Sequence, residues 1–301
     1  MTALESAYEA LRERGLKAIT AGDHEAAHGH FEAALEMARQ IARPTLVDRA
    51  SCNLAAVEIE LRRGDGKVPQ LRQILMRNGN PRGGDPANCF LAAYNIARHY
   101  ELSKDYRKGL FYAQVARDRA QAIGNTEWRA SSFNQIGDLL LARSYSRRAT
   151  AAYSSALELL APGPSLRRGQ ILDNLGYCLI LEGDTRTGFR HLYESVRLLR
   201  RLGARTALVS VHLDLCFALL ENDRPRLARG HGQRALALAE DLGLDESIKN
   251  ALYLLGEAHT MNGDRGAGRD CFERLEQFYP DAQFCDLLAA VDVRRIINLK
   301  A

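Results

Sequence analysis

An all-α fold, a solenoid of stacked helix pairs, is predicted by three observations on this sequence. The composition suits helices: Ala, Leu and Arg dominate the 301 residues, aromatics are 7% and only 8 residues are Pro. The β-branched and aromatic side chains that strands favour are correspondingly scarce. A pattern of small and bulky positions recurs seven times at a nearly constant period. Each period, finally, holds two amphipathic stretches separated by a helix-breaking turn.

The recurring pattern is a small residue, another small residue twelve positions on, a bulkier one four later, and Ala or an aliphatic three beyond that. In the fourth unit these are Gly137, Ala149, Tyr153 and Ala156; in the seventh, Gly256, Gly268, Phe272 and Leu275; in the first, Gly15, Ala27, Phe31 and Ala34. The first small position, called the marker below, recurs at Gly15, Ala55, Ala97, Gly137, Gly176, Cys216 and Gly256. The gaps of 40, 42, 40, 39, 40 and 40 residues are too regular for chance.

Within the fifth unit, Leu172, Leu175, Leu179 and Ile180 keep helical spacing, and Gly183-Asp184 then breaks the helix and offers an N-cap. Phe189, Leu192, Val196 and Leu199 trace the apolar stripe of a second helix. Small residues at the first and thirteenth positions let two helices cross closely. Pro44, Pro81, Pro86, Pro162, Pro164 and Pro280 punctuate the units, and Pro69 and Pro225 stand where second helices begin. Gly124, Gly203 and Gly243 fall 27 residues after their markers, where a helix ends in a left-handed residue. The expected units span approximately 3–43, 44–82, 86–124, 125–163, 165–203, 205–243 and 245–280, followed by a C-terminal capping helix over 281–301 with Phe284, Leu287, Leu288 and Val291 on one face. The second unit is the weakest: Pro69 and flanking glycines leave a second helix of about ten residues, and Arg77 to Pro86 reads as a long connection.

An apolar content of 46% is ample for a core and excludes wholesale disorder. The formal charge is only +4. No apolar run approaches the length of a membrane span. The opening MTALESAYEALRERG carries Glu5, Glu9 and Glu13 where a secretory signal needs a basic region and an apolar stretch, so a cytoplasmic location is expected. The six cysteines contain no CxxC pair and read as reduced, small apolar residues.

This pattern resembles the tetratricopeptide repeat (TPR), whose consensus runs W-x2-L-G-x2-Y, then Ala, an aromatic, Ala and Pro. Tyr94 to Tyr112, Asn174 to Asp184 and Leu254 to Asp264 carry the likeness, and Pro280 falls at the consensus proline. The period near 40 instead of 34, and the missing opening Trp, resemble the longer subtype of kinesin light chains and bacterial regulators. The resemblance implies a right-handed α-solenoid of seven TPR-like pairs with a capping helix. It also implies a concave groove lined by first helices, with the residues two before and one after each marker pointing inward.

Reading those positions gives Glu13, Asn53, Asn95, Gln135, Asn174, Asp214 and Leu254 before the marker, with Asn134 beside Gln135, and Arg98, Asp138, Tyr177, Phe217 and Glu257 after it. Ile180 and Leu220 follow one turn on. Amides are poor choices inside helices, so their recurrence at one phase suggests service to a ligand, where they match an extended peptide backbone as donor and acceptor. The other reading of the same row is an amide ladder that bonds neighbouring helices. Tyr177, Phe217, Ile180 and Leu220 would anchor an apolar side chain, and a mostly neutral ladder would make binding weakly salt-dependent.

Two further features compete with that groove. HEAAH, with His24, Glu25 and His28, matches the zinc-hydrolase motif, but Ala27 and Phe31 lie in the repeat register, so zinc chemistry is disfavoured. No metal or cofactor is expected. Residues 143–234 hold 15 Arg against 8 Asp and Glu, but the arginines map mainly to second helices without interleaved aromatics, so a solvated face is favoured over nucleic acid. The expected function is that of a non-enzymatic scaffold or adaptor that binds a peptide or protein segment. The alternatives are a ligand sensor that changes pitch on binding and, remotely, an HExxH zinc hydrolase.

Overall fold

The computed structural model describes residues 2–64, 66–79, 84–279 and 285–290. Among these there are helices and turns but no strand, and 84% of the described residues are helical. No described helix is long and apolar enough to cross a membrane. The chain divides into two compact units, Met1–Pro162 and Gly163–Ala301.

The first unit holds α1 (Ala3–Ala21), α2 (His24–Ile41), α3 (Pro44–Glu60), α4 (Lys67–Asn78), α5 (Pro86–Leu102), α6 (Tyr106–Ile123), α7 (Thr126–Leu141) and α8 (Ser146–Leu159). The second holds α9 (Leu166–Leu181), α10 (Thr185–Arg201), α11 (Arg205–Glu221), α12 (Pro225–Leu242), α13 (Asp245–Met261), α14 (Arg265–Glu276) and the short α15 (Cys285–Ala290). Odd-numbered helices up to α13 are the first helices of the pairs. In both units helices consecutive in sequence pack together, and first helices also touch: α3 on α5, α9 on α11, α11 on α13.

The pattern of small and bulky residues has a direct steric cause. A Cβ on Gly15 would lie 2.5 Å from the Phe31 ring, and on Gly137 2.4 Å from the Tyr153 ring. On Gly256 it would meet Phe272 at 2.3 Å, and on Gly176 Leu192 at 2.8 Å. In each pair the large side chain sixteen residues after the marker fills the space that the marker leaves. Phe31, Tyr153, Leu192 and Phe272 are fully buried there.

The turn inside each pair recurs as well. Seven residues after the markers stand Gly22, Arg62, Lys104, Ser144, Gly183, Asp223 and Gly263, all with positive φ. Asp23, Asp105, Asp184 and Asp264 follow such residues and cap the second helix, each accepting a backbone N–H three residues ahead at 2.9, 3.2, 3.1 and 3.2 Å. At the far ends, Gly124 and Gly243 close α6 and α12 in the left-handed conformation.

One sequence expectation needs correction. The second helix of the second pair, α4, is 12 residues long and reaches Asn78, inside the stretch read as a connection. Asn78 is buried, donates to Asp48 Oδ2 at 2.7 Å and accepts from the Asp85 N–H at 3.0 Å. Arg77 also pairs with Asp48. The ties to the Asp48 side chain, thirty positions earlier, and to the Asp85 backbone hold the end of a helix that local glycines alone would have ended. Of the expected capping helix only Cys285–Ala290 is seen; Pro280, Phe284, Val291 and the side chain of Leu287, like Pro81 earlier in the chain, lie outside the described residues.

All six cysteines are free thiols, and burial pushes the Cys216 thiol up to about 12. Replacing Gly176 or Ala149 with Leu should overpack its helix crossing and cost about 1–3 kcal/mol. Thermal melts unchanged in both variants would contradict this packing.

Candidate functional site

The amide row divides according to what each side chain meets. Asn95, buried on α5, donates from Nδ2 to the Cys52 carbonyl of α3 at 2.7 Å. Gln135, buried on α7, donates from Nε2 to the Tyr94 carbonyl of α5 at 3.3 Å. Both bonds run from the position two before one marker to the position three before the preceding marker. They are rungs between adjacent first helices, and they turn these two amides away from solvent. Each also uses an amide hydrogen on a carbonyl already inside a helix, a sharing that suits a packed contact.

Asn53 on α3 and Asn134 on α7 remain partly exposed, as does Asn174 on α9. Asn134 donates to Asp138 Oδ2 at 3.0 Å, and the Tyr153 hydroxyl donates to Asp138 Oδ1 at 2.7 Å.

Arg98 on α5 organises the accessible surface of the first helices in the first unit. Its guanidinium donates twice to Glu60 of α3, at 2.7 and 3.0 Å, and to Glu101 one turn on at 2.6 Å. Asp138 of α7 lies near enough to act on both Arg98 and Glu101. Three carboxylates thus surround one guanidinium. Burial pushes Glu101 up to about 7, Arg98 opposes this, and Asp138 and Glu60 add to it. Burial also acts to raise Glu60, but the Arg98 guanidinium outweighs it and holds that carboxyl below its usual range. Arg98 and Asp138 were legible as one-after-marker positions. Glu60 and Glu101 were not singled out, although each lies about one turn beyond its marker.

The expected apolar anchor is corrected by burial. Tyr177, Ile180, Phe217 and Leu220 are 2%, 7%, 6% and 1% exposed. The Tyr177 and Phe217 rings pack against each other at 5.4 Å, and Ile180 joins Leu192, Val196, Leu199 and Leu215 in the core of the second unit. Asp214 on α11 is buried as well. α11 is enclosed on nearly every side, so the phase that faces outward elsewhere faces core here.

At HEAAH, Ala27 and Phe31 are buried in the core between α1 and α2. Glu25 is held by the Arg63 guanidinium at 2.7 and 3.1 Å, and His28 Nε2 stands 3.9 Å from Glu58. No group of three or more metal-ligating side chains forms among the described residues.

No family model matches the chain, and neither does any curated protein. Solved structures match its fold. A Rap protein complexed with Competence and Sporulation Factor aligns with TM-score 0.69 at 13% identity, over 97% of this chain and 79% of that one. The apo form of the quorum sensor NprR from B. thuringiensis gives 0.66 at 11%, over 95% and 80%. The TPR-like repeats of a putative kinesin light chain from Podosopora anserina give 0.51 at 15%, over 64% and 94%. These likenesses define the class: an all-α, TPR-like repeat fold of the longer-period kind.

Two measurements test the site. The raised Glu101 favours its protonated form in the fold, so its contribution is fullest below pH 4.5 and is lost as pH rises towards 7. Glu101→Gln should flatten the fall in denaturant stability between pH 5 and pH 8, and an unchanged fall would argue against that burial. His24→Ala with His28→Ala should leave helicity and metal content as they were; stoichiometric zinc lost in that variant would restore the hydrolase reading.

Proposed function

We propose that the protein is a non-enzymatic scaffold that binds an extended peptide or protein segment along the groove face of its first helices. The observation that carries this reading is the accessible polar row of the first unit, where Asn53, Arg98 and Asn134 are partly exposed on three successive first helices. Asn174 is the matching position in the second unit. The Arg98 cluster supplies both charges on one face, with three carboxylates to one guanidinium, so a segment carrying Lys or Arg fits best. This exchanges the neutral ladder expected from sequence for a charged one, and salt should then weaken binding.

A second reading is supported by the kinds of protein that share the fold. One is complexed with Competence and Sporulation Factor and another is a quorum sensor. On that reading the bound segment is a signal and the solenoid changes pitch on binding. Small-angle scattering with and without the segment separates the two, because a scaffold keeps its curve.

The test begins with affinity capture from the source lysate, identification of the bound segment, and fluorescence polarisation with that segment as a labelled peptide. Each neutral hydrogen bond lost costs about 0.5–1.5 kcal/mol. Asn53→Ala with Asn134→Ala should therefore weaken binding roughly 5- to 150-fold at unchanged helicity. Parental affinity in that variant, with binding abolished by Arg190→Glu and Arg229→Glu on second helices, would move the site off the first-helix face.

A further inference from the structure

In the first unit Arg72 of α4 lies against two phenols of the neighbouring pair. Its Nη2 donates to the Tyr100 hydroxyl of α5 at 2.7 Å, and its Nε donates to the Tyr112 hydroxyl of α6, one repeat away, at 3.1 Å. The two phenol rings stack at 5.9 Å, and Lys108 Nζ stands over the Tyr100 ring at 5.3 Å. Arg72, Lys108 and Tyr112 line a hollow of about 570 Å³ together with Asp105, Arg107 and Phe111. Phe111 is 60% exposed, with its ring edge-on to Tyr112 at 5.2 Å. A large aromatic ring thus stands in water on the wall of a hollow that three cations share.

The charges in this hollow do not balance. Among the described residues Asp105 is the one carboxylate in the lining, and it is taken up by Lys108. It accepts from Lys108 Nζ at 2.6 Å and from the Lys108 backbone N–H at 3.2 Å. Arg72 meets the two neutral hydroxyls, which occupy two of its five N–H donors and fix the guanidinium plane. Arg107 is exposed, and neither guanidinium is ion-paired to a carboxylate among the described residues. Two positive charges are left over beside an uncovered ring. The next cations along these helices, Lys67, Arg77 and Arg117, hold Glu58, Asp48 and Asp118. The surplus is therefore local, which suits one compact ligand and not the long phosphate track of a nucleic acid. The volume lies in the range of small-molecule sites.

We infer that this hollow binds a phosphate monoester of a flat ring compound. Arg72 and Arg107 take the phosphoryl oxygens, whose two charges match the two unpaired guanidiniums. The two hydroxyls already hold Arg72 in place, so it loses little freedom on binding. The ring of the ligand covers Phe111 and removes its exposed face from water. Tyr100 and Lys108, the latter neutralised by Asp105, form the frame behind Arg72. The lining comes from α4, α6 and the cap of α6, all parts of second helices, and the site does not depend on the peptide-binding reading. An aryl group and a nucleobase present the same flat face, and the test separates them.

The test uses the full chain at pH 8, where a phosphate monoester is a dianion. The probes, at matched ionic strength, are phenyl phosphate, adenosine 5′-monophosphate, inorganic phosphate and benzenesulfonate, a monoanion on the same ring. Calorimetric titration gives each affinity, and aromatic 13C NMR reads the Phe111 ring, assigned by its loss in Phe111→Ala. Phenyl phosphate or the nucleotide should bind at least about tenfold tighter than inorganic phosphate and benzenesulfonate, and should shift the Phe111 signal. The tighter of the two identifies the ring as aryl or nucleobase. Arg72→Gln with Arg107→Gln should weaken that binding at least about tenfold at unchanged helicity. Arg107 and Phe111 are exposed, so their single variants test the site even where loss of Arg72 disturbs the fold. Arg107→Gln should weaken every phosphate ligand, whereas Phe111→Ala should abolish only the preference over inorganic phosphate. Inorganic phosphate binding as tightly as both ring-bearing phosphates would overturn the proposal. So would benzenesulfonate binding as tightly as phenyl phosphate, or affinities unchanged in Arg107→Gln.

Discussion

The structure depends on one steric exchange. A marker with little or no side chain lets the partner helix approach, and a large side chain sixteen residues later fills the gap. Where the marker is Gly the partner is Phe31, Tyr153, Leu192 or Phe272. In the third pair both positions are Ala, Ala97 and Ala113, both fully buried. In the sixth the sizes are inverted: the marker is Cys216, and a Cβ on its partner Gly232 would come 3.2 Å from the Cys216 sulfur. What holds across these pairs is a filled crossing at close-packed density, and not a particular residue at either position.

That exchange explains why the fold could be read from sequence. Steric fit inside a pair is local, repeats every forty residues and leaves its trace at two fixed positions. The left-handed residue of the turn and the Asp cap after it leave equally local traces. The end of α4 was illegible for the opposite reason. Its last residue is held by Asp48, thirty positions earlier, and by the Asp85 backbone, and no helix propensity encodes such ties.

The site was legible only in part. Spacing placed Asn95 and Gln135 at the right phase of their helices but could not say whether that phase meets solvent or the next first helix. Only a few tens of degrees separate the two outcomes, and stacking decides between them. Tyr177 and Phe217 were misread for a related reason: at the phase that carries the accessible Arg98 and Asp138 in the first unit, the second unit has a ring pair packed into its core. Charge was the better guide. Arg98 and Asp138, read from spacing, meet in one charged cluster, and their neighbours Glu60 and Glu101 complete it where amide counting overlooked them.

The short reach of the contact between marker and partner has a kinetic consequence. Within a pair the large side chain finds its crossing only sixteen residues along the chain, and the amide rungs between first helices close loops of little more than one repeat. Loops of that size close in well under a microsecond to a few microseconds, and low contact order favours rapid folding. Such a chain has no obligatory nucleus: a helix pair anywhere in a unit can form first and template its neighbour. By the same logic a single pair can open and reclose while the rest of its unit stays folded, so hydrogen exchange should occur pair by pair instead of across the whole chain at once.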